Sequence, residues 1–259
     1  MEERSSAEIA CASALAELRA DGVAVIPNVL TADEAADALS RLWRASDESK
    51  SRGIPSHIAG LDPDAHNVRV FNLVDLDLFF ASLVENPISH QLVGEFLGPN
   101  YILSNLSANI ARPGSRSMAI HSDLQFVVPE PWSVPQSVNV IWCLTDTYAD
   151  NGATLYAPGS HRHETAGSVP ETIASQMVPL EAKAGSVMIM DGRVWHTSGN
   201  NITSSEDRAL VFGYYTAPYI RPQWNFSASL SEPVKQAVSP NLRFRLGLDE
   251  SLNQILVQG

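Results

Sequence analysis

The sequence predicts an α+β protein with a mainly β core and helices packed on its outside. Up to residue 97 the apolar residues recur largely at helical spacing, and after residue 100 the pattern becomes that of extended chain. From there, Gly and Pro turn pairs cut the chain into many short segments. Short strands at such intervals belong to a sandwich or a barrel.

Residues 7–20 read as a helix, with Ile9, Leu15 and Leu18 set among alanines and a stop at Asp21-Gly22. A short apolar strand, Val23 to Ile26, follows and ends at Pro27-Asn28. Thr31 with Glu34 three residues on is a capping box for a second helix, whose face carries Ala35, Leu39, Leu42 and Trp43. Segment 49–67 reads as loop, and 77–97 as helical patches closed by Gly98-Pro99. The expected strands are 101–111, 117–122, 137–145, 153–157, 177–182, 186–190, 193–198 and 208–217. The turns between them are Pro113-Gly114, Asn151-Gly152, Pro158-Gly159, Ala184-Gly185 and Asp191-Gly192. The tail, 219–259, is expected to hold loop and short helices. Nothing in it or elsewhere reads as a linker or repeat, so 1–259 is expected to be a single domain.

Composition narrows the function classes. The 259 residues hold 17 Lys+Arg against 29 Asp+Glu, a net charge of −12 that disfavours nucleic acid or an anionic membrane as partner. No apolar run is long enough to span a bilayer. The polar, acidic opening MEERSSAE carries no secretory pattern, so a cytoplasmic protein is expected. Two cysteines, Cys11 and Cys143, make neither a disulfide framework nor a Cys-rich zinc site. The expected partner is a small molecule. Oligomeric state is not legible in the sequence.

Three features could carry chemistry. In His121-Ser122-Asp123, at the end of an extended run, positions i and i+2 of a strand project to one face. Alone, that pattern is weak. His196 lies 75 residues on, after the Asp191-Gly192 turn, which is expected to form a hairpin. Two His and one carboxylate on adjacent strands make a facial triad with open metal positions, which suits non-haem Fe(II) and dioxygen chemistry. A zinc site, commonly tetrahedral, is the lesser reading. Arg208 opens the apolar run RALVFGYYT, where it either faces the cavity to hold a dicarboxylate or meets solvent at a strand start. His161 and His163 follow Pro158-Gly159 and read as turn residues rather than rival ligands. His57, His66 and His90 lie in loop or helix, Asp191 reads as a turn residue, and Trp142 and Cys143 as core. Phe126, Trp132, Tyr219, Trp224 and Phe226 fall in irregular segments. They either line a substrate mouth or anchor long loops.

In order and spacing, these features resemble the phytanoyl-CoA dioxygenase family of Fe(II)- and 2-oxoglutarate-dependent oxygenases. LRADGVAVIPNVLTADEAADAL is similar to the family's N-terminal strand and helix, and LVGEFLGPNYILSNLSANIARPGSRSMAIHSD to the segment leading to its first two ligands. NGATLYAPGSHRHE matches the family's Asn-Gly…Pro-Gly-Ser-His turn, and PYIRPQWNFSASL resembles the C-terminal segment of members acting on small molecules and natural products.

The resemblance implies a double-stranded β-helix (jelly roll, cupin-like) with His121, Asp123 and His196 as iron ligands. It implies Arg208 on the distal carboxylate of 2-oxoglutarate, with Thr154, Ser198 and Arg69 helping to hold the co-substrate. Many relatives carry Gln three residues before the first ligand. Met118 stands there, so that hydrogen bond is expected to be absent or replaced, by Asn109 or Asn139. Asp123 keeps the carboxylate that halogenating cousins lack, which favours oxygenation. The implied activity is hydroxylation or a related C–H oxidation of a small organic metabolite by O2, with succinate and CO2 released. The alternatives are a non-catalytic jelly-roll metabolite-binding protein and a cupin-like zinc hydrolase.

Overall fold

The computed structural model describes residues 6–58, 62–128, 132–162 and 170–248. The N-terminal elements follow the sequence closely: α1 (Ser6–Asp21), β1 (Val23–Ile26) and α2 (Ala32–Ser51). Thr31 caps α2 in a complete capping box with Glu34. Segment 49–67 is less of a loop than expected, since α2 runs through Ser51 and β2 (Asn67–Val70) starts at its end. Then come α3 (Leu73–Leu76), α4 (Phe79–Val84) and α5 (Pro87–Leu97). Among the described residues no helix is long and apolar enough to cross a membrane.

The β core comprises β3 (Ile102–Ala111), β4 (Ser137–Cys143), β5 (Thr154–Tyr156), β6 (Val178–Pro179), β7 (Val187–Asp191), β8 (His196–Ser198) and β9 (Arg208–Thr216). Short helices α6 (Phe226–Ser229), α7 (Glu232–Ala237) and α8 (Pro240–Arg245) follow. Six strands form an antiparallel sheet in the order β1-β7-β4-β9-β3-β2, and three form a smaller one, β6-β5-β8. Two expectations need correction, a strand and a hairpin. Segment 117–120 pairs with no strand, and only His121 joins the small sheet, by an isolated bridge to His196. Asp191-Gly192 is no hairpin, because β7 and β8 belong to different sheets and the turn carries the chain from one to the other.

Period-two alternation gives the large sheet two distinct faces. Val138, Val140 and Trp142 on β4, with Ala209, Val211 and Tyr215 on β9, join the main core along with Leu15, Leu18, Leu42 and Leu92 of the helices. Between them, Ile141, Cys143, Met188 and Leu210 point the other way, into a smaller apolar cluster. Trp142 and Cys143 are core residues, as expected, and burial pushes the Cys143 thiol up to about 12. That inner face also carries the polar residues of the site.

Candidate active site

His121, Asp123 and His196 converge, each offering a ligand atom within 4.8 Å of the others. The two imidazole centroids lie 4.3 Å apart, and His196 Nε2 is 3.9 Å from Asp123 Oδ1. Paired main-chain bonds, His121 N to His196 O and the reverse, both 2.9 Å, lock the two histidines side by side. Each ring is also oriented by a carbonyl. His121 Nδ1 donates to Ala119 O at 2.9 Å and His196 Nδ1 to Val194 O at 3.0 Å, which leaves both Nε2 lone pairs free. Burial and the neighbouring His196 push His121 down to about 4, so its imidazole is neutral at neutral pH and able to ligate.

Asp123 reaches the cluster from a turn rather than from a strand. Asn139 Nδ2 donates to its Oδ2 at 2.6 Å, and Ser122 Oγ ties the turn to Gly192 O at 2.8 Å. Of the two candidates for the co-substrate hydrogen bond, Asn109 and Asn139, it is Asn139 whose Nδ2 donates to this carboxylate.

Arg208 is 1% exposed, which rules out the solvent-facing alternative. Its Nε donates to Gly152 O at 2.9 Å and its Nη1 to Asn109 Oδ1 at 3.1 Å. Among the described residues it has no carboxylate partner, and burial lowers it to about 10, still protonated at neutral pH. Asn109 Nδ2 is buried without an acceptor. An uncompensated guanidinium beside an unused amide donor leaves a gap for an anion. Arg69 differs, since the fully buried Asp62 carboxylate holds it at 2.8 Å. Its Nη2 also contacts Met118 Sδ at 3.3 Å. The triad, Arg69, Asn109, Asn139, Thr154, Ser198 and Arg208 all line one cavity of about 280 Å3.

Residues 18–209, a span that contains the triad and Arg208, match the family model for phytanoyl-CoA dioxygenase. The chain belongs to the phytanoyl-CoA dioxygenase family. Dioxygenase af480 of Aspergillus fumigatus is 48% identical over 235 residues, covering 91% of this chain and 76% of that one. Dioxygenase andF of Emericella variicolor is 26% identical over 63% of this chain and 60% of its own. Two solved structures share the fold. The non-haem α-ketoglutarate-dependent carbocyclase SnoK from nogalamycin biosynthesis has a TM-score of 0.69 at 18% identity, covering 92% of this chain and 95% of its own. The corresponding epimerase SnoN has a TM-score of 0.65 at 21% identity, covering 83% and 87%. This family member is therefore a dioxygenase using iron and 2-oxoglutarate, built on a cupin-like fold.

Other candidates in this dioxygenase lie elsewhere. His161 is buried and its Nε2 meets Arg19 O at 3.2 Å, capping α1. His163 falls outside the described residues. His90 contacts Tyr101 and Asn241, and His66 sits beside Asp64 on the surface. Asp191 forms an ion pair with Arg193 at 2.6 Å, as a turn residue.

Of the five aromatic candidates for the substrate mouth, only Phe126 lines the cavity. Trp132 is a buried anchor whose indole donates to Val127 O at 2.7 Å, and Phe226 is core. Trp224 stacks on Phe71 at 5.8 Å, and it is Phe71 that faces the cavity. Tyr219 is 72% exposed and outside the wall. Sequence reasoning missed Asn105, Ser107, Phe212, Tyr214 and Gln223, all of which line the cavity. Counting by twos from Arg208 reaches Phe212 and Tyr214, and counting back from Asn109 reaches Ser107 and Asn105.

Proposed function

We propose that the 259 residues act as one Fe(II)/2-oxoglutarate oxygenase domain that oxidises a C–H bond of a small organic metabolite. The observation that carries this reading is the pairing, in one cavity, of an open His-Asp-His cluster with a buried Arg208 that lacks a counter-charge. The donor set fits iron, since two imidazoles and one carboxylate leave positions for further ligands. The neighbouring anion gap fits the far carboxylate of 2-oxoglutarate.

His121 and His196 would hold the metal through Nε2, and Asp123 through Oδ1, the oxygen facing His196. Iron held there would let one O2 oxidise 2-oxoglutarate and a substrate C–H bond together, one oxygen atom going into succinate as CO2 leaves and the other into the oxidised product. The protein's share is placement and exclusion of water. Arg208 and Asn109 Nδ2 fix the distal carboxylate, while Thr154 and Ser198, paired across β5 and β8, line the same cavity. Metal content after anaerobic purification separates this reading from a zinc hydrolase. Fe(II)-dependent succinate release from 2-oxoglutarate separates it from a non-catalytic binding protein.

Asn139 fixes which oxygen of Asp123 is presented. Asn139→Ala is expected to weaken iron binding about 10- to 100-fold, the range for loss of a group that orients a ligand. The KM for 2-oxoglutarate, measured at saturating iron, should stay unchanged; a rise would return Asn139 to the co-substrate site.

Gln125 and Phe126 line the cavity, with Phe126 86% exposed and the next carbonyl, Val127 O, accepting from the Trp132 indole. An apolar ring so placed gains burial only when something fills the mouth. Hydrogen exchange at 124–128 should slow when iron, co-substrate and substrate are all bound. Protection confined to other segments would remove its role as a lid.

A further inference from the structure

The substrate half of the cavity ends at a break in strand alternation. β3 carries a bulge between Leu103 and Asn105, with Ser104 as the extra residue against β9. In an unbroken strand Leu103 and Asn105 would share a face. Here Leu103 is in the main core under the helices and Asn105 lines the cavity. Alternation from Asn109 carries Asn105 to the cavity, and the bulge then turns Leu103 back into the core, ending the cavity face of β3 at Asn105. The bulged residue also fixes its neighbours, because Ser104 Oγ accepts from Gln223 N at 2.9 Å and Ser104 O from Trp224 N at 3.0 Å. That brings Gln223 to Asn105, whose Nδ2 donates to Gln223 Oε1 at 3.4 Å. Two complementary valences remain. Asn105 Oδ1 is buried without a donor, and Gln223 Nε2 makes no hydrogen bond among the described residues.

The surroundings narrow what fits. Ile58, Phe71, Phe126 and Phe212 supply apolar wall, and Ser107 adds one hydroxyl. The ionised groups lining the cavity are committed elsewhere: Arg69 to Asp62, Asp123 to the histidine cluster, and Arg208 to the anion gap. An anionic substrate would give up its hydration with no counter-charge at the Asn105 end, inside a protein of net charge −12. Register places Asn105 and Asn139 opposite the same residue, Tyr214, on either side of β9. They are therefore two strand spacings apart, roughly 10 Å. Asn139 holds Asp123, so the amide pair lies about that far from the metal cluster.

Resting on the oxygenase reading of this cavity, we propose that Asn105 and Gln223 form a hydroxyl-recognising subsite for an uncharged, mostly apolar substrate. A hydroxyl donates to Asn105 Oδ1 while accepting from Gln223 Nε2, filling both valences at once. A pocket of apolar walls with a few placed polar groups orients its ligand by such contacts. The subsite thus sets which C–H bond, some way along the carbon frame, rests at the metal cluster.

The test uses four probes on one frame: decalin-2-ol, decalin, decalin-2-carboxylate and the CoA thioester of that acid. Binding to the iron- and 2-oxoglutarate-loaded protein is read anaerobically by tryptophan fluorescence. The alcohol should bind about tenfold more tightly than the hydrocarbon, the effect of roughly one to two good hydrogen bonds, and more tightly than either anion. Asn105→Leu and, independently, Gln223→Leu on the surface segment should each erase the alcohol's advantage over decalin. The Kd for 2-oxoglutarate should not move in either variant. A preference for the carboxylate or thioester, no measurable alcohol binding, or an advantage that survives both variants would overturn the subsite. Failure of the oxygenase reading looks different: the wild-type protein would not bind 2-oxoglutarate with Fe(II), whatever the probes do.

Discussion

His196→Ala is expected to reduce Fe(II)-dependent succinate release to background and to weaken iron binding by more than about 100-fold. Loss of a group that merely orients a ligand costs about 10- to 100-fold in metal affinity, and deletion of the ligand itself should exceed that. The backbone makes the experiment clean. What joins His121 to His196 is a pair of main-chain hydrogen bonds, and β8 pairs with β5 through main chain as well, so alanine keeps the fold that presents the site. The lost imidazole is half of a pair whose rings lie 4.3 Å apart, and no other described His, Asp, Glu or Cys joins the cluster to replace it. His121→Ala and Asp123→Ala should behave alike. His161→Ala should retain turnover, because that ring caps α1 at Arg19 and takes no part in the cluster. Circular dichroism of each variant checks the fold, and anaerobic iron titration gives the affinity. Full activity in His196→Ala would sink the ligand assignment.

How far the site could be read in advance varied with the kind of information each residue carries. Arg208, Thr154 and Asn109 sit on strands, where period two fixes the facing of every side chain once one is known. From the residues alone Arg208 stayed open between cavity and solvent, and it was the family resemblance that assigned Arg208, Thr154 and Asn109 to the co-substrate. Asp123 came to the right place by a different route. It was expected on a strand with His121, yet the chain leaves extended geometry after the single bridge to His196, and the turn is held by Asn139 and Gly192 O. Ser122 shapes the turn locally, its Oγ accepting from Leu124 N and its O from Gln125 N, but the partners that aim Asp123 are distant in sequence. The bulge at Ser104 is invisible for a related reason. One extra residue reverses every side chain beyond it, and nothing in YILSNLSANIA marks where that residue falls. The aromatics in irregular segments were the least legible, open between mouth and anchor. Trp132 and Phe226 are buried against the protein, Trp224 backs Phe71, and Tyr219 stands in solvent. An aromatic ring in a loop gains as much from packing inward as from facing a ligand, and composition does not distinguish the two. For the secondary structure the same division holds: the capped helix α2 and the alternating strands β4 and β9 were legible, whereas β2 and the crossing at Asp191-Gly192 depend on partners far along the chain.

The second large effect is expected at Arg208, where Ala should raise the KM for 2-oxoglutarate about 10- to 100-fold and leave iron affinity unchanged. A guanidinium that is 1% exposed and held by neutral acceptors alone is unfavourable by itself, because burial removes its hydration without supplying a counter-charge. A carboxylate entering beside it restores that charge. Charge-assisted hydrogen bonds contribute about 1.5–3 kcal/mol, and 1.4 kcal/mol is tenfold, which gives the stated range. Arg208→Ala also strips donors from Gly152 O and Asn109 Oδ1, so some stability is lost with it. Arg208→Lys separates the two effects. It keeps the charge and loses the planar fork, so its KM should fall between wild type and Ala. Asn109→Ala removes the unused Nδ2 donor and should raise the same KM by a smaller factor. Arg69→Ala provides the contrast, since its charge is already matched by Asp62 at 2.8 Å and its loss would leave that carboxylate buried and unpaired. Its main effect should be on stability, read as a lower Tm. If Arg208→Ala left the 2-oxoglutarate KM unchanged in a folded protein, the anion gap would have another occupant, and Arg69, despite its partner, would be next to test. The geometry weighs against that outcome, because Arg208 is the cavity's buried cation without an anion, and Asn109 brings it an idle donor.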